Sequence, residues 1–579
     1  MNIFDLRQKL IDDYSSYIRS FIQIRDPRIE QYVEQELFHD GMLWPQPLIQ
    51  MNPMFQPGCT IDALVSEGIV HPACARIFRR GKDENKPQGD LLHLHQHQEE
   101  AIRVARGGHS YVLTTGTGSG KSLSYMIPIV DYVLQHPNTP GIKAIVVYPM
   151  NALANSQMGE LEKYLQLSYP SSVRQVTFAR YTGQEGKYDR AEILANPPDI
   201  LLTNYVMLEL ILTRLREQPF LQTTQLRFLV LDELHTYRGR QGADVSLLVR
   251  RVRNRLTPKG EILQCVGTSA TLAGGGRYEQ QCQEVAAMAS RIFGCEVLPE
   301  HIIGETLTRV TEEVDETSPA FRHLLTERVG KIDQPAPQSF AAFTRDPLSI
   351  WLESTFGVTR QEGRLVRTRP CRISGEKESA AAFLHDITGV SEEHCNEAIQ
   401  QGLLAGYEHV THPQTGRAPF AFRLHQFISK GDTVYATLEH DPARRITLQY
   451  QQYAPGDRER VLFPLAFCRE CGQHYYCVRW QDEETLVGRE LQDQLRYGNG
   501  DGGSKKSATR TGSPGFLYLT EDDPWPRDRE SIEVKLPGEW KEMHHGKERL
   551  MASAKKNVPV PLHIQTDGTV VEESEEGIA

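Results

Sequence analysis

Nine residues, Thr114-Thr-Gly-Thr-Gly-Ser-Gly-Lys-Ser122, constrain this chain more than any other stretch. They follow the apolar run Tyr111–Leu113 and lead into a helical pattern over 121–135. Glycines at Gly116, Gly118 and Gly120 let the backbone curl so that the amides of Thr115, Gly116, Thr117, Gly118, Ser119 and Gly120 face one point, and the following helix adds its positive N-terminal end. That arrangement suits an anion carrying several phosphates. Lys121 would reach the outer phosphates and the Ser122 hydroxyl would ligate Mg²⁺. The general phosphate-loop pattern begins with glycine, and here Thr115 stands in that position.

The surrounding sequence fits one fold class. Short apolar runs at Tyr111–Thr114, Ala144–Tyr148, Val176–Tyr181, Asp199–Thr203, Arg227–Leu231 and Leu263–Thr268 alternate with helical patterns near 121–135, 151–166, 204–216 and 243–256. Alternation of this kind predicts an α/β fold with a mostly parallel sheet covered on both faces. Functional groups then belong at the carboxyl ends of the strands. One of those ends reads Phe228-Leu-Val-Leu-Asp-Glu-Leu-His235. Asp232 is placed to hold Mg²⁺ and Glu233 to polarise a water for attack on a terminal phosphate, which is hydrolysis rather than transfer to a second substrate. Taken alone, acidic residues after a strand are as readily a helix cap or a solvated turn; the phosphate loop reverses that reading.

Together these elements resemble the superfamily 2 helicases of the DEAD/DEAH type. Thr115–Ser122 looks like motif I, Tyr148-Pro-Met-Asn-Ala-Leu-Ala-Asn-Ser-Gln157 like motif Ia, and Thr203-Asn-Tyr-Val-Met-Leu208 like motif Ib. Asp232-Glu-Leu-His235 looks like motif II, Ser269-Ala-Thr271 like motif III, and Leu94-His-Gln-His-Gln98 like the upstream glutamine motif. The continuation Asp232-Glu-Leu-His-Thr-Tyr-Arg-Gly is similar to bacterial DNA-repair and phage-defence helicases that have a cysteine-rich C-terminal region. The resemblance implies a RecA-like lobe, ATP and Mg²⁺ as cofactors, and DNA, single-stranded or duplex, as the track, with RNA as the alternative. It also implies that Gln98 reads adenine, that His235 belongs to the nucleotide site, and that Lys121, Asp232 and Glu233 are catalytic. Pro149, Asn151, Thr203 and Asn204 would meet the sugar–phosphate backbone, positioning without reading sequence. Ser269 and Thr271 would couple nucleotide state to the strand groove. Outside that frame Asn151 and Asn204 are good helix caps and Thr203 an ordinary strand-end residue.

The rest of the chain reads as follows. A helical N-terminal extension covers 1–90, the ATP-binding lobe 91–300, and an accessory or insertion region, with a small helical or winged-helix-like module near 383–406, covers 301–460. A cysteine knuckle region occupies 461–496, a Gly- and Ser-rich flexible linker 497–515, and an irregular acidic tail 516–579. Mixed α+β segments are therefore expected after the lobe. Lys and Arg number 64 against 75 Asp and Glu, net −11, so a basic coat over the whole surface is excluded and nucleic-acid contacts must be local. The N-terminus lacks the pattern of a secretory signal and no long apolar stretch occurs, so a cytoplasmic protein without membrane association is expected.

Ten cysteines in 579 residues are too few for a disulfide scaffold. Cys468 and Cys471 form a Cys-x-x-Cys-Gly knuckle that makes zinc a further candidate cofactor, with His474 and Cys477 as nearby ligands. The alternating His93, His95 and His97 would share a face on a strand, yet they run straight into Gln98, which favours a structural role. No Gln-x-x-Gly-Arg-x-x-Arg string follows residue 273. A motor of this type needs a second lobe to supply an arginine to the transition state. The expectation is a chain truncated before that lobe, weak in ATP turnover alone and completed by a continuation or a partner chain. A non-hydrolysing nucleic-acid-binding scaffold, an assembly subunit of a defence complex, is the alternative.

Overall fold

The computed structural model describes residues 2–571 apart from 22, 40–41, 84, 117, 166–174, 223–224, 258–260, 271–276, 332–336, 376–377, 414–415, 430–432, 482–483, 492–512, 521–524 and 545–546. Its centre is a seven-stranded sheet formed by β1 (Tyr111–Thr114), β2 (Ala144–Tyr148), β3 (Phe178–Arg180), β4 (Ile200–Asn204), β5 (Phe228–Leu231), β6 (Gln264–Ser269) and β7 (Ile302–Gly304), in the order β7-β1-β6-β5-β2-β4-β3. Every neighbouring pair is parallel.

Period-two alternation divides these strands between two cores. Tyr111, Leu113, Val146, Tyr148, Leu202 and Val230 face one side, packed with α1 (Gln96–Arg106), α2 (Lys121–Gln135) and α3 (Asn151–Leu165). Val112, Ile145, Val147, Leu201, Leu229 and Leu231 face the other, packed with α4 (Tyr205–Thr213), α5 (Gly239–Leu256) and α6 (Tyr278–Phe293). Burial on both faces explains why the strands are near-continuous Val, Ile and Leu. Strands β1 and β2 and helix α2 coincide with the ranges read from sequence. The expected lobe ended at residue 300, but Ile302–Gly304 closes its edge beside β1.

Residues before and after the lobe interleave. Leu48–Asn52 pairs with both Cys371–Arg372 and Ala421–His425, and Ile49 and Met51 join a core made by helices Pro319–Gly330, Pro347–Phe356, Ala380–Thr388 and Glu392–Leu404. The stretch read as a small helical or winged-helix-like module is helical, a pair of helices within this larger unit. Ile29, Val33, Leu37 and Leu43 instead pack into a core with an antiparallel sheet built from 435–517. The first ninety residues therefore contribute to several cores rather than forming one helical extension. Within the stretch expected to be a flexible linker, 497–512 lies outside the described residues, whereas Ser513–Leu517 is a strand paired with His474–Gln481. The region expected to be an irregular tail holds helix Arg529–Lys535 and the hairpin Lys541–His544 with Lys547–Leu550. The acidic residues from Glu572 onward lie outside the described residues. Among the described residues no helix is long and apolar enough to cross a membrane.

Candidate nucleotide site

The phosphate loop leaves the carboxyl end of β1 and enters α2, and two of its glycines take conformations that L side chains resist: Gly118 at φ 82° and Gly120 at φ 72°. A Cβ on Gly120 would stand 2.5 Å from Gln98 Nε2. The loop is braced by buried side chains. Thr115 Oγ1 lies 2.6 Å from Ser119 Oγ, a contact that suits Thr at the position where glycine is usual. His97 Nε2 is 3.0 Å from the Ser119 carbonyl, and burial holds its imidazole below the usual histidine range. Gln98 Nε2 donates to the Gly120 carbonyl at 2.8 Å, and its Oε1 accepts from the His95 amide at 2.8 Å. In this conformation Gln98, 2% exposed, props the loop from beneath. Of the histidine series seen in the sequence, His97 braces the loop and His95 stacks on His97 at 5.5 Å, while His93 is exposed. Thr117 lies outside the described residues.

Lys121 opens α2 and reaches across to the ends of two other strands. Its Nζ is 3.4 Å from the carbonyl of Ser269, the last residue of β6, and 4.0 Å from Glu233 Oε1 after β5. Ser122 follows it, half-buried at the helix start. Asp232 and Glu233 are fixed by Thr268, which sequence reasoning missed. The Thr268 hydroxyl, fully buried, donates to Asp232 Oδ1 and accepts from the Glu233 amide at 3.1 Å. Desolvation, with the Glu233 charge adding to it, raises the Asp232 carboxyl above its ordinary range despite the Thr268 bond. Glu233 adopts φ 52°, the left-handed region, a strained backbone for a glutamate. Its Oε2 is buried without a hydrogen bond, 3.3 Å from His235 Nδ1, and the same His235 nitrogen is 3.3 Å from Ser269 Oγ. Lys121, Glu233, His235 and Ser269 are thus brought into one network, while Thr271 lies outside the described residues.

These residues fit a nucleoside triphosphate with Mg²⁺. The loop supplies a curled amide cradle and one cation, and Ser122 and Asp232 offer oxygen ligands of the kind Mg²⁺ takes. Glu233 Oε2 is a buried acceptor whose hydrogen bond a water could complete.

A second group of expected residues gathers beyond the ends of β2 and β4. Asn204 Nδ2 donates to Asn151 Oδ1 at 2.7 Å and to the Thr182 carbonyl at 3.1 Å, while Asn204 Oδ1 caps α4 through the Met207 amide at 2.8 Å. Pro149 is half-buried beside them. Thr203 is fully buried and donates its hydroxyl to the Tyr181 carbonyl at 2.7 Å, so its side chain shapes the strand end and offers nothing to a phosphate in this conformation.

The cysteine knuckle is the turn of a β-hairpin. Phe467 pairs with His474, the Cys468 amide donates to the Gln473 carbonyl, and Gly472 at φ 73° packs on Gln23–Arg25. The two nearby candidate ligands lie on the strand that follows the turn. His474 Nε2 is 3.0 Å from Arg444 Nη1, and Cys477 is fully buried in the following strand. No group of three or more His, Cys, Asp or Glu side chains suited to a metal occurs among the described residues. Cys468 and Cys471 alone do not make the four-ligand set zinc prefers.

Residues 95–276 match the DEAD/DEAH box helicase family. This chain carries a DEAD/DEAH box helicase domain. The Druantia protein DruE of Escherichia coli is 24% identical over 405 residues, covering 50% of this chain and 22% of DruE. The ATP-dependent helicase MJ1574 of Methanocaldococcus jannaschii is 30% identical over 200 residues, covering 34% and 29% respectively. The ATP-dependent helicase HRQ1 of Saccharomyces cerevisiae is 29% identical over 36% of this chain and 18% of its own length. A crystal structure of the DUF1998 helicase MrfA bound to DNA superposes with a TM-score of 0.34 at 19% identity, covering 52% of this chain and 38% of that one. The chain thus spans under a third of the length of each of these curated relatives. Of the motifs that carried the resemblance, motifs I to III fall inside the matched residues, as does the glutamine motif from His95 onward.

Proposed function

We propose that this chain provides the ATP-binding lobe of an ATP-dependent DNA helicase or translocase acting in genome defence or repair. The observation that carries the proposal is the convergence of Lys121, Asp232 and Glu233 at the carboxyl ends of the sheet, with the Thr268 hydroxyl holding the Asp232 carboxylate and the Glu233 backbone amide. Mg²⁺·ATP, when bound, would supply an electrophilic terminal phosphorus and a cation that offsets phosphate charge. Lys121 would neutralise the outer phosphate oxygens, Ser122 and Asp232 would hold Mg²⁺, and Glu233 would orient water and accept its proton. His235 and Ser269 would carry the state of that carboxylate toward the strand groove. Pro149, Asn151 and Asn204 would meet the sugar–phosphate backbone, with Thr203 forming the strand end beneath them.

A parallel seven-stranded sheet occurs once among the described residues. We therefore assign robust turnover to the combination of this lobe with a second one, from a continuation or a partner chain. Retention of Lys121, Asp232 and Glu233 speaks against a scaffold that has abandoned hydrolysis. The separating experiment is Glu233→Gln: a motor lobe holds ATP and single-stranded DNA together more tightly in this variant, whereas a scaffold binds DNA identically with and without ATP. Parallel titrations with duplex DNA and single-stranded RNA of the same sequence decide the track.

A further inference from the structure

Residues from outside the helicase domain reach the mouth of the phosphate loop. Gly304 of β7 is in parallel register with Thr114 of β1, so Glu305 and the phosphate loop leave the sheet at the same edge. Glu305 Oε2 accepts a hydrogen bond from the Gly116 amide at 3.1 Å. Glu305 is in turn gripped by Arg367, Nε to Oε1 at 2.7 Å and Nη2 to Oε2 at 3.0 Å, a bidentate fork. Arg367 lies on the hairpin strand Arg364–Arg367, which belongs to the region beyond the lobe. Its guanidinium stands 3.0 Å from where a Gly116 Cβ would be, and Arg423 Nη2 stands 3.3 Å from the equivalent point on Gly118. Gly116 is therefore needed to let a cation from another part of the fold lie against the loop. The pair is mostly shielded, with side chains 17% and 18% exposed.

A carboxylate on a phosphate-loop amide is electrostatically opposed to a bound triphosphate, and a guanidinium beside the same loop is favoured by it. We propose that Glu305 and Arg367 form a nucleotide-responsive latch: Glu305 holds Arg367 at the loop in the resting state, and a terminal phosphate draws the guanidinium onto its own oxygens. Arg367 is then a phosphate-reading residue supplied within the chain, and the Arg364–Arg367 hairpin is the element through which the outer region senses the triphosphate. Arg364, stacked 3.7 Å over the Tyr278 ring of α6, anchors that hairpin while Arg367 exchanges partners. The latch rests on the nucleotide-site reading above.

The test is titration of the full chain with Mg²⁺·ATP and Mg²⁺·ADP by calorimetry, for wild type, Arg367→Ala, Arg367→Lys, Glu305→Ala and the Arg367→Ala/Glu305→Ala double variant. Removing Glu305 should tighten ATP severalfold. Removing Arg367 should weaken ATP about tenfold with a much smaller effect on ADP, the size expected for one charge-assisted bond to phosphate. Arg367→Lys should retain part of the preference for ATP. The decisive comparison is the double variant, which should bind ATP more weakly than Glu305→Ala alone. Equal ATP affinities for those two variants would show that Arg367 only neutralises Glu305, and the latch would be wrong. Lys121→Ala serves as the reference for the site itself: if it binds nucleotide like wild type, the site reading falls and takes the latch with it. Loss of binding in Lys121→Ala with an unchanged ATP-to-ADP ratio in Arg367→Ala refutes the latch alone.

Discussion

Replacing Thr268 with Val keeps the shape of a fully buried side chain and removes one hydroxyl that serves both site carboxylate residues. The hydroxyl donates to the Asp232 carboxylate, a bond to a charged group contributing about 1.5–3 kcal/mol, and leaves the Glu233 amide without its acceptor at about 1–3 kcal/mol when lost. Asp232 is half-buried and can turn toward water, so the sum falls short of the upper limits. The expected destabilisation is about 2–4 kcal/mol, which at roughly 2–4 °C per kcal/mol for a unit of this size lowers its melting temperature by about 5–15 °C. A functional consequence follows from the same bond, because it lowers the Asp232 carboxyl against a desolvation that raises it. Without it the carboxyl rises further, and since Mg²⁺ takes the deprotonated form, the midpoint of Mg²⁺-dependent nucleotide binding moves to higher pH. Fluorescence titration with a labelled ATP analogue at fixed Mg²⁺ across pH, alongside thermal melts, reads both effects. Thr268→Ser retains the hydroxyl and should restore the midpoint. A Thr268→Val chain with wild-type melting and an unshifted midpoint, or a Ser variant as impaired as Val, would refute the assigned role.

Gly120→Ala places a Cβ 2.5 Å from Gln98 Nε2 at φ 72°, and should cost about 1–3 kcal/mol of strain with loss of labelled-ATP binding; the double variant Gly120→Ala/Gln98→Ala should recover part of the stability by removing the clash. Lys143→Met strips the buried partner of Asp199, 2.7 Å away with both side chains 1% exposed, and should destabilise the lobe by about 3–5 kcal/mol in urea melts. Desolvation opposes the Asp199 charge, but bonds from Lys143 and Thr177 prevail and hold its carboxyl below the usual range. Its contribution is therefore present at neutral pH and lost as pH falls through that lowered value, so the gap between wild type and Lys143→Met should close in acid.

What sequence could and could not reveal divides by distance along the chain. Strands β1 and β2, the loop and α2 were legible because local signals agree there: an apolar run, three glycines and a helix-length pattern. The Ile302–Gly304 edge strand was missed since three residues carry no periodicity. Glu305 and Arg367 sit 62 positions apart, and Leu48–Asn52 finds its strand partners more than 300 residues away; nothing local encodes either meeting. Thr268 was overlooked as one more strand residue, although its place just before Ser269 was already in view. Gln98 and Thr203 stand out in sequence as ligand-facing residues, whereas burial turns both side chains toward the backbone of their own fold. The knuckle has the spacing of a zinc ligand pair, and the same residues form a hairpin turn with its positive-φ Gly472.

In the proposed function the loop at 115–122 and the carboxylates at 232–233 make one Mg²⁺-dependent triphosphate site. Equilibrium binding of a labelled ATP analogue, with and without Mg²⁺, to wild type, Lys121→Ala and Asp232→Asn tests it most directly. Wild type should bind with Mg²⁺ enhancement, Lys121→Ala at least tenfold more weakly, and Asp232→Asn without the Mg²⁺ enhancement. Folded variants that bind the nucleotide as wild type does, with the same Mg²⁺ enhancement, would contradict that site assignment.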